Sequence, residues 1–220
     1  MSDRALCERL SLMVITDPAV AGGVLPIVEA ALRGGATAVQ LRWKDGATRD
    51  QLRLALALRE ATRTAGALLI VNDRVDIALA CEADGAHLGD GDLPLAVARR
   101  VAPPGFLLGR SVDTLEQAVA AERDGADYLG LGPVFPTATK SDTGAVVGRE
   151  AMARACRAVS LPIVGIGGIG TGRVAQVISA GACGVAVVSA IMNAVDPEAE
   201  ASRLRGEVES ARRRGQGAAE

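Results

Sequence analysis

The stretch PIVGIGGIGTGRVAQVISAGACGVAVVSA, Pro162 to Ala190, contains one complete repeat of the chain. A β-branched run (PIVGIGG, 162–168) is followed by a helical pattern, a Gly-Ala pair at Gly181-Ala182 and a second β-branched run (GVAVVSA, 184–190). Glycine suits the left-handed position that ends a helix, and alanine the cramped return into a buried strand. The same pair stands before further runs at Gly35-Ala36, Gly66-Ala67, Gly85-Ala86 and Gly125-Ala126. The remaining runs are LSLMVITD (10–17), AVQLRWK (38–44), LLIVND (68–73), AHLGD (86–90), FLLGRS (106–111) and YLGLGPV (128–134). Helical patterns lie between them: Val24, Ile27, Val28, Ala31 and Leu32 share one face, and Asp113 with Glu116 reads as a capping box. Eight β-α units without a break in composition predict an α/β fold, a single (β/α)8 TIM barrel. The barrel is expected over residues 1–212 as the catalytic domain. Residues 213–220 are expected as a disordered tail, and the arginine run within ESARRRGQGAAE as a solvated face.

Composition agrees with that architecture. Of 220 residues 49% are hydrophobic and only 2% aromatic, so the core is built from Val, Leu, Ile and Ala, as in parallel sheets covered by helices. A net charge of -2, with neither a clustered basic face nor aromatic platforms, excludes a nucleic-acid partner. Cys7, Cys81, Cys156 and Cys183 lie far apart with no C-x-x-C pair and read as buried reduced thiols. The opening MSDRALCERLSLMVITD has acidic residues and too short an apolar run for a signal peptide, and no stretch approaches the roughly 18 apolar residues of a membrane span. A soluble cytoplasmic protein with no membrane partner is expected; a homo-oligomer is left open.

In such a barrel, ligand groups gather at the C-terminal ends of the strands. Gln40, Arg42 and Lys44 are spaced by two and so share one face, opposite Leu41 and Trp43. Facing the mouth, the two cations need an anion; the inverted register would turn them outward. Asn72-Asp73 ends the third run, and Asp90 and Asp92 follow the fourth. These carboxylates fit a hard divalent cation such as Mg²⁺, which takes one or two carboxylates together with substrate phosphates and waters, although Asn and Asp also form ordinary caps and turns. His87, the single histidine, reads as a structural residue within a strand. At the far end, GIGGIG (165–170) and Ser189 read as a backbone cradle for a phosphate. The glycine spacing is not that of a dinucleotide fingerprint.

GPVFPTATKSDTG, Gly132 to Gly144, has neither a helical nor an alternating period. Unstructured loops longer than about 12 residues are uncommon in compact domains unless they serve as lids, binding loops or disordered segments. This one is read as a lid that brings Thr137, Thr139 and Lys140 to a ligand.

These residues resemble the thiamine-phosphate synthase family over almost the whole chain. QLRWK is similar to its Q-x-R-x-K strand, VNDRVDIAL to its Asn-Asp strand end, ADGAHLGDGD to its fourth unit, and PIVGIGGI with GVAVVSAI to its phosphate units. GADYLGLGPVFPTATK, similar to its long sixth-strand loop, is the most specific match. The resemblance implies a transferase that condenses hydroxymethylpyrimidine pyrophosphate with thiazole phosphate, using Mg²⁺ and releasing pyrophosphate by a dissociative path. It further implies that Arg42, Lys44, Asn72 and Lys140 bind the pyrophosphate and act in catalysis, and that Asp73 and Asp92 hold Mg²⁺. Gln40, Ser111, Thr137 and Thr139 would surround the pyrimidine; Gly168, Val188 and Ser189 would hold the thiazole phosphate. Two departures stand out: Asp90 where the family usually has glutamine, and Ala138 where many relatives have an acidic residue.

Rival readings are a thiazole tautomerase-like barrel and a non-catalytic binder of thiamine-pathway phosphates. Arg42, Lys44, Asn72, Asp73 and Lys140 argue against the tautomerase, which lacks much of the pyrophosphate machinery. A sugar-phosphate epimerase would need more histidine and carboxylate ligands than one histidine allows. The binder is not excluded by sequence.

Overall fold

The computed structural model describes residues 3–137 and 145–217. In chain order its elements are α1 (Asp3–Arg9), β1 (Leu12–Ile15), α2 (Val24–Arg33), β2 (Ala38–Leu41), α3 (Thr48–Ala65), β3 (Leu68–Asn72), α4 (Val75–Ala80), β4 (Gly85–Leu88) and α5 (Leu95–Val101). They continue with β5 (Leu107–Val112), α6 (Leu115–Arg123), β6 (Tyr128–Leu131), α7 (Gly148–Ala158), β7 (Ile163–Ile166), α8 (Val174–Ser179), β8 (Gly184–Val187), α9 (Ser189–Met192) and α10 (Pro197–Gly217). Each strand pairs in parallel with its sequence neighbour, and β8 closes on β1, giving the expected (β/α)8 barrel.

Alternation along the strands divides the core in two. Met13, Ile15, Ala38, Leu68, Ile70, Leu107, Tyr128, Val164 and Ala186 form an inner cluster, while Leu12, Val14, Val39, Leu41, Leu69, Val71 and Leu108 belong to the larger cluster beneath the helices. Leu6 of α1 and Leu10, which the sequence pattern puts at the start of the first strand run but which lies between α1 and β1, also join the inner cluster. Two bulky side chains, His87 and Tyr128, fit inside the barrel because Gly109 and Gly130 face them. A Cβ on Gly109 would lie 2.3 Å from Tyr128 Cζ and 2.4 Å from His87 Nδ1; one on Gly130 would lie 3.0 Å from His87 Cε1. At Gly109 the absence of a side chain is a steric requirement, and at Gly130 a Cβ would be a tight contact.

Three local expectations are corrected. Four of the five Gly-Ala glycines have positive φ, but Gly85 lies inside β4, where a Cβ would meet the Leu107 carbonyl oxygen at 2.3 Å; Glu82, at φ 53°, takes the left-handed position after α4 instead. The capping box at α6 is formed one residue later than expected: Thr114 caps the N–H of Gln117, and Gln117 Oε1 accepts from the N–H groups of Thr114 (3.3 Å) and Asp113 (2.8 Å). Within the arginine run, Arg212 is not a solvated residue. Its Nη2 donates to the carbonyls of Cys7 and Cys183, tying α10 to α1 and to the start of β8. No disulfide links the four cysteines. Among the described residues, no helix is long and apolar enough to cross a membrane.

Candidate functional site

The C-terminal mouth of the barrel is built in two halves. On the β2–β4 side, Gln40 is the last inward-facing residue of β2; it is buried, and its Nε2 donates to Met13 Sδ at 3.4 Å. The ladder ends at Leu41, but the chain keeps its course because Thr16 Oγ1 accepts from the Arg42 N–H (2.9 Å) and donates to the Arg42 carbonyl (3.3 Å). Trp43, half-buried, lies against Gly46 ahead of α3, where a Cβ would come within 2.5 Å of the indole ring. Arg42 and Lys44 thus stand on the rim.

Asn72 ends β3 opposite His87 of β4. The next residue, Asp73, has a φ of 63°, rare for a residue with a side chain. Its N–H is held by the His87 carbonyl at 2.9 Å. That turn aims its carboxyl at three groups: Lys44 Nζ at 3.8 Å, the carboxyl of Asp92, with which it shares a hydrogen bond, and the charge of Arg42. Burial raises the Asp73 pKa most, the hydrogen bond to Asp92 and the Asp92 charge raise it further, and Lys44 and Arg42 oppose them. The outcome is an Asp73 pKa raised from 3.8 to about 6. Asp92 is fixed by its own turn, with Oδ2 accepting from the Gly89 N–H at 2.6 Å.

Asp90, the residue that departs from the family pattern, points elsewhere. Its Oδ1 is 2.6 Å from Arg110 Nη2 and its Oδ2 accepts from Gln117 Nε2 at 3.4 Å. Arg110 also donates from Nη1 to the Gly89 carbonyl at 2.6 Å, clamping the base of the turn that carries Asp92. Asp90 is therefore a partner of β5 and α6.

On the β5–β8 side the mouth opens into a cleft of about 1030 Å³ lined by, among others, Ser111, Thr137, Gly168, Val188 and Ser189. His87 bridges the barrel interior to this cleft: Nδ1 is 3.0 Å from the Tyr128 hydroxyl and Nε2 is 2.9 Å from Ser111 Oγ. Burial pushes the Tyr128 hydroxyl pKa up, so the phenol stays neutral. At the other wall, the backbone N–H groups of Gly168, Val188 and Ser189 make no turn or loop hydrogen bond among the described residues. A Cβ on Gly168 would lie 2.5 Å from the Pro136 carbonyl oxygen, so the β6 and β7 loops are in direct contact there.

The structure therefore brings Arg42, Lys44, Asp73 and Asp92 together, with Asn72 adjoining, and gathers Ser111, Thr137, Gly168, Val188 and Ser189 around one cleft. Thr139 and Lys140 lie outside the described residues. Sequence reasoning missed Thr16 and Arg110, whose partners are on other β-α units, and Arg173, which meets Phe135 of the preceding unit, and it left open whether His87 touches the site. Only the isolated polarity of His87 within an apolar strand suggested that it is satisfied inside the barrel. Among the described residues, no group of three or more His, Cys, Asp or Glu is placed to hold a metal ion; the two carboxyls of Asp73 and Asp92 are the pair available.

Against this geometry, residues 12–191 match the family model described as thiamine monophosphate synthase. The chain is 51% identical over 203 residues to a thiamine-phosphate synthase of Moorella thermoacetica, covering 91% of this chain and 97% of the relative. It is 48% identical to a protein of the same name from Methanoculleus marisnigri, covering 93% of this chain and 98% of that one. Among solved structures, the thiamine phosphate pyrophosphorylase of Pyrococcus furiosus is similar with a TM-score of 0.87 and 43% identity, covering 94% of this chain and 98% of that one.

Proposed function

The chain belongs to the thiamine monophosphate synthase family, and from that premise we propose how the barrel mouth carries out the condensation. The enzyme is a transferase, a thiamine-phosphate synthase, that joins hydroxymethylpyrimidine pyrophosphate to thiazole phosphate and releases pyrophosphate. In our reading Arg42, Lys44 and Asn72 hold the pyrophosphate, Gln40, Ser111 and Thr137 orient the pyrimidine, and Gly168, Val188 and Ser189 take the thiazole phosphate. Thr139 and Lys140 are assigned to the pyrimidine and the pyrophosphate from sequence resemblance.

The donor set fits a hard divalent cation. The carboxyls of Asp73 and Asp92 lie together, and the Asp73 pKa is raised first by burial and then by the neighbouring Asp92, with Lys44 and Arg42 opposing. Two carboxylates are the complement that Mg²⁺ takes when substrate phosphates and waters complete its shell. When bound, Mg²⁺ supplies charge neutralisation of the departing pyrophosphate.

The chain's own residues do the rest. Bond breaking takes the C–O electron pair out on the pyrophosphate, where Arg42 and Lys44 stabilise the charge as it develops. The lone pair of the thiazole nitrogen then closes the new C–N bond on the pyrimidine-stabilised cation. No net proton transfer is required, in keeping with a mouth whose single imidazole is already hydrogen-bonded to Tyr128 and Ser111. The walls must hold the two substrates adjacent and exclude water, which would otherwise capture the cation.

The observation that carries this reading is one mouth with two separate sets of groups suited to an anion: paired cations beside two carboxyls on the β2–β4 rim, and N–H groups on the β7–β8 wall that make no turn or loop hydrogen bond among the described residues. Steady-state assay of the purified chain tests it. Thiamine phosphate and pyrophosphate should appear in equal amounts, and only when both substrates and Mg²⁺ are present. Binding of both substrates without turnover would overturn the catalytic reading.

A further inference from the structure

The cleft that faces β5–β8 has an uneven charge. Asp17, Asp90 and Asp113 contribute carboxylates to its described lining, and Arg173 is the one cation there. Arg173 stands immediately before α8 and is anchored at two points. Its Nη1 donates to the Gly168 carbonyl at 2.6 Å, and its guanidinium carbon lies 5.0 Å from the centroid of the Phe135 ring. A cation placed over an aromatic ring in this way is held there without using up its N–H groups. Among the described residues, its Nε and Nη2 make no hydrogen bond and it forms no salt bridge, in contrast to Arg110 across the cleft, which is spent on Gly89 and Asp90.

A phosphate monoester carries between one and two negative charges at neutral pH. Asp90 is offset by its pairing with Arg110, but Asp17 and Asp113 remain on the lining, and bringing a phosphate in beside them is unfavourable if neutral N–H groups alone receive it. Arg173 is bonded to the carbonyl of Gly168, one of the residues assigned to that phosphate, and lines the same cleft as Val188 and Ser189.

We propose that Arg173 is a binding residue for the phosphate of the thiazole substrate, its free guanidinium edge supplying the charge that the backbone N–H groups of Gly168, Val188 and Ser189 do not carry. The assignment rests on the phosphate-cradle reading given above. Charge-assisted hydrogen bonds are about twice as strong as neutral ones, so the residue should matter for affinity and for discrimination between the phosphorylated thiazole and its free alcohol.

Calorimetric titration of the full chain with thiazole phosphate, the unphosphorylated thiazole alcohol and the pyrimidine pyrophosphate tests the proposal, using the wild type, Arg173→Met, Arg173→Lys and Ser189→Asp. Arg173→Met should weaken thiazole phosphate binding by about 10- to 100-fold, the loss of one charge-assisted contact. Binding of the alcohol and of the pyrimidine pyrophosphate should not change, and retained pyrimidine binding also certifies the fold of the variant. Arg173→Lys keeps the charge and should recover most of the lost affinity. Undiminished phosphate binding by Arg173→Met overturns the proposal, as does an equal loss for phosphate and alcohol, which would mean that Arg173 acts only by holding the Gly168 carbonyl. Ser189→Asp separates the two levels of inference. If it abolishes phosphate binding while Arg173→Met has no effect, only the Arg173 assignment fails; if Ser189→Asp has no effect, the cradle reading fails with it.

Discussion

His87 Nε2 lies 2.9 Å from Ser111 Oγ, and its other ring nitrogen is 3.0 Å from the buried Tyr128 hydroxyl. The single histidine thus links the packed interior of the barrel to a hydroxyl on the cleft wall. Replacing it with leucine leaves both hydroxyls without this partner, and the expected cost is about 1–3 kcal/mol of stability. Turnover should fall with little change in thiazole phosphate affinity, because Ser111 is on the pyrimidine side of the assignment. Chemical denaturation with steady-state kinetics checks both; wild-type stability and turnover in His87→Leu would refute the link.

Gly109→Ala addresses the space that the same histidine occupies. The added methyl would overlap Tyr128 and His87 at 2.3 and 2.4 Å, and both rings are buried. Overpacking of this kind costs about 1–3 kcal/mol. The measurement is the denaturation midpoint, and an unchanged midpoint would mean that the rings relax without strain.

The carboxyl pair gives the mutations most directly tied to metal use. Asp73→Asn and Asp92→Asn each remove a negative charge from the assigned Mg²⁺ site, so each should cut turnover strongly and raise the Mg²⁺ concentration needed for half-maximal rate. Wild-type Mg²⁺ dependence in both variants would refute the assignment.

The same pair sets a pH dependence in chelator-treated protein. Asp73 has a folded-state pKa of about 6 against 3.8 unperturbed, so the folded state holds this proton more tightly than the unfolded state does. The associated stability is fully present below pH 4 and is lost as pH rises to about 6. Denaturation of wild type and Asp73→Asn at several pH values between 4 and 7 should show the wild type losing stability relative to the variant across that window. A parallel pair of curves would contradict the shift.

Asp90 and Arg110 separate a surface pair from a positioning contact. The Asp90 carboxylate is largely exposed and bonded away from Asp73 and Asp92, so Asp90→Gln, which restores the residue usual in the family, should leave turnover within about two-fold. Arg110→Met also frees the Gly89 carbonyl beneath the Asp92 turn and should raise the Mg²⁺ requirement more than Asp90→Gln does. Equal effects of the two changes would show that the clamp on Gly89 is immaterial.

The sequence by itself determined the barrel and most of the mouth. Period-2 alternation fixes which face a side chain takes, so Gln40, Arg42 and Lys44 were assignable to one face from their own strand, while Ser111 came from the family resemblance. The tendency of ligand groups to collect at strand ends then placed Asp73, Asp92, Gly168 and Ser189 without knowledge of their neighbours. Partners across strands were left to the tertiary structure. His87, Ser111 and Tyr128 are separated by 24 and 41 residues, and they meet only because closure of the sheet sets β4, β5 and β6 in register and Gly109 leaves room between them. Asp90 reads in sequence as a third carboxylate beside the metal pair, yet Arg110, one strand over, draws it away. Arg173 carries no signal in the sequence, and its contacts with Phe135 and Gly168 exist only in the folded chain. Local pattern encodes the direction in which a side chain points, whereas the choice among groups within reach depends on register, rotamer and packing between segments distant in the chain.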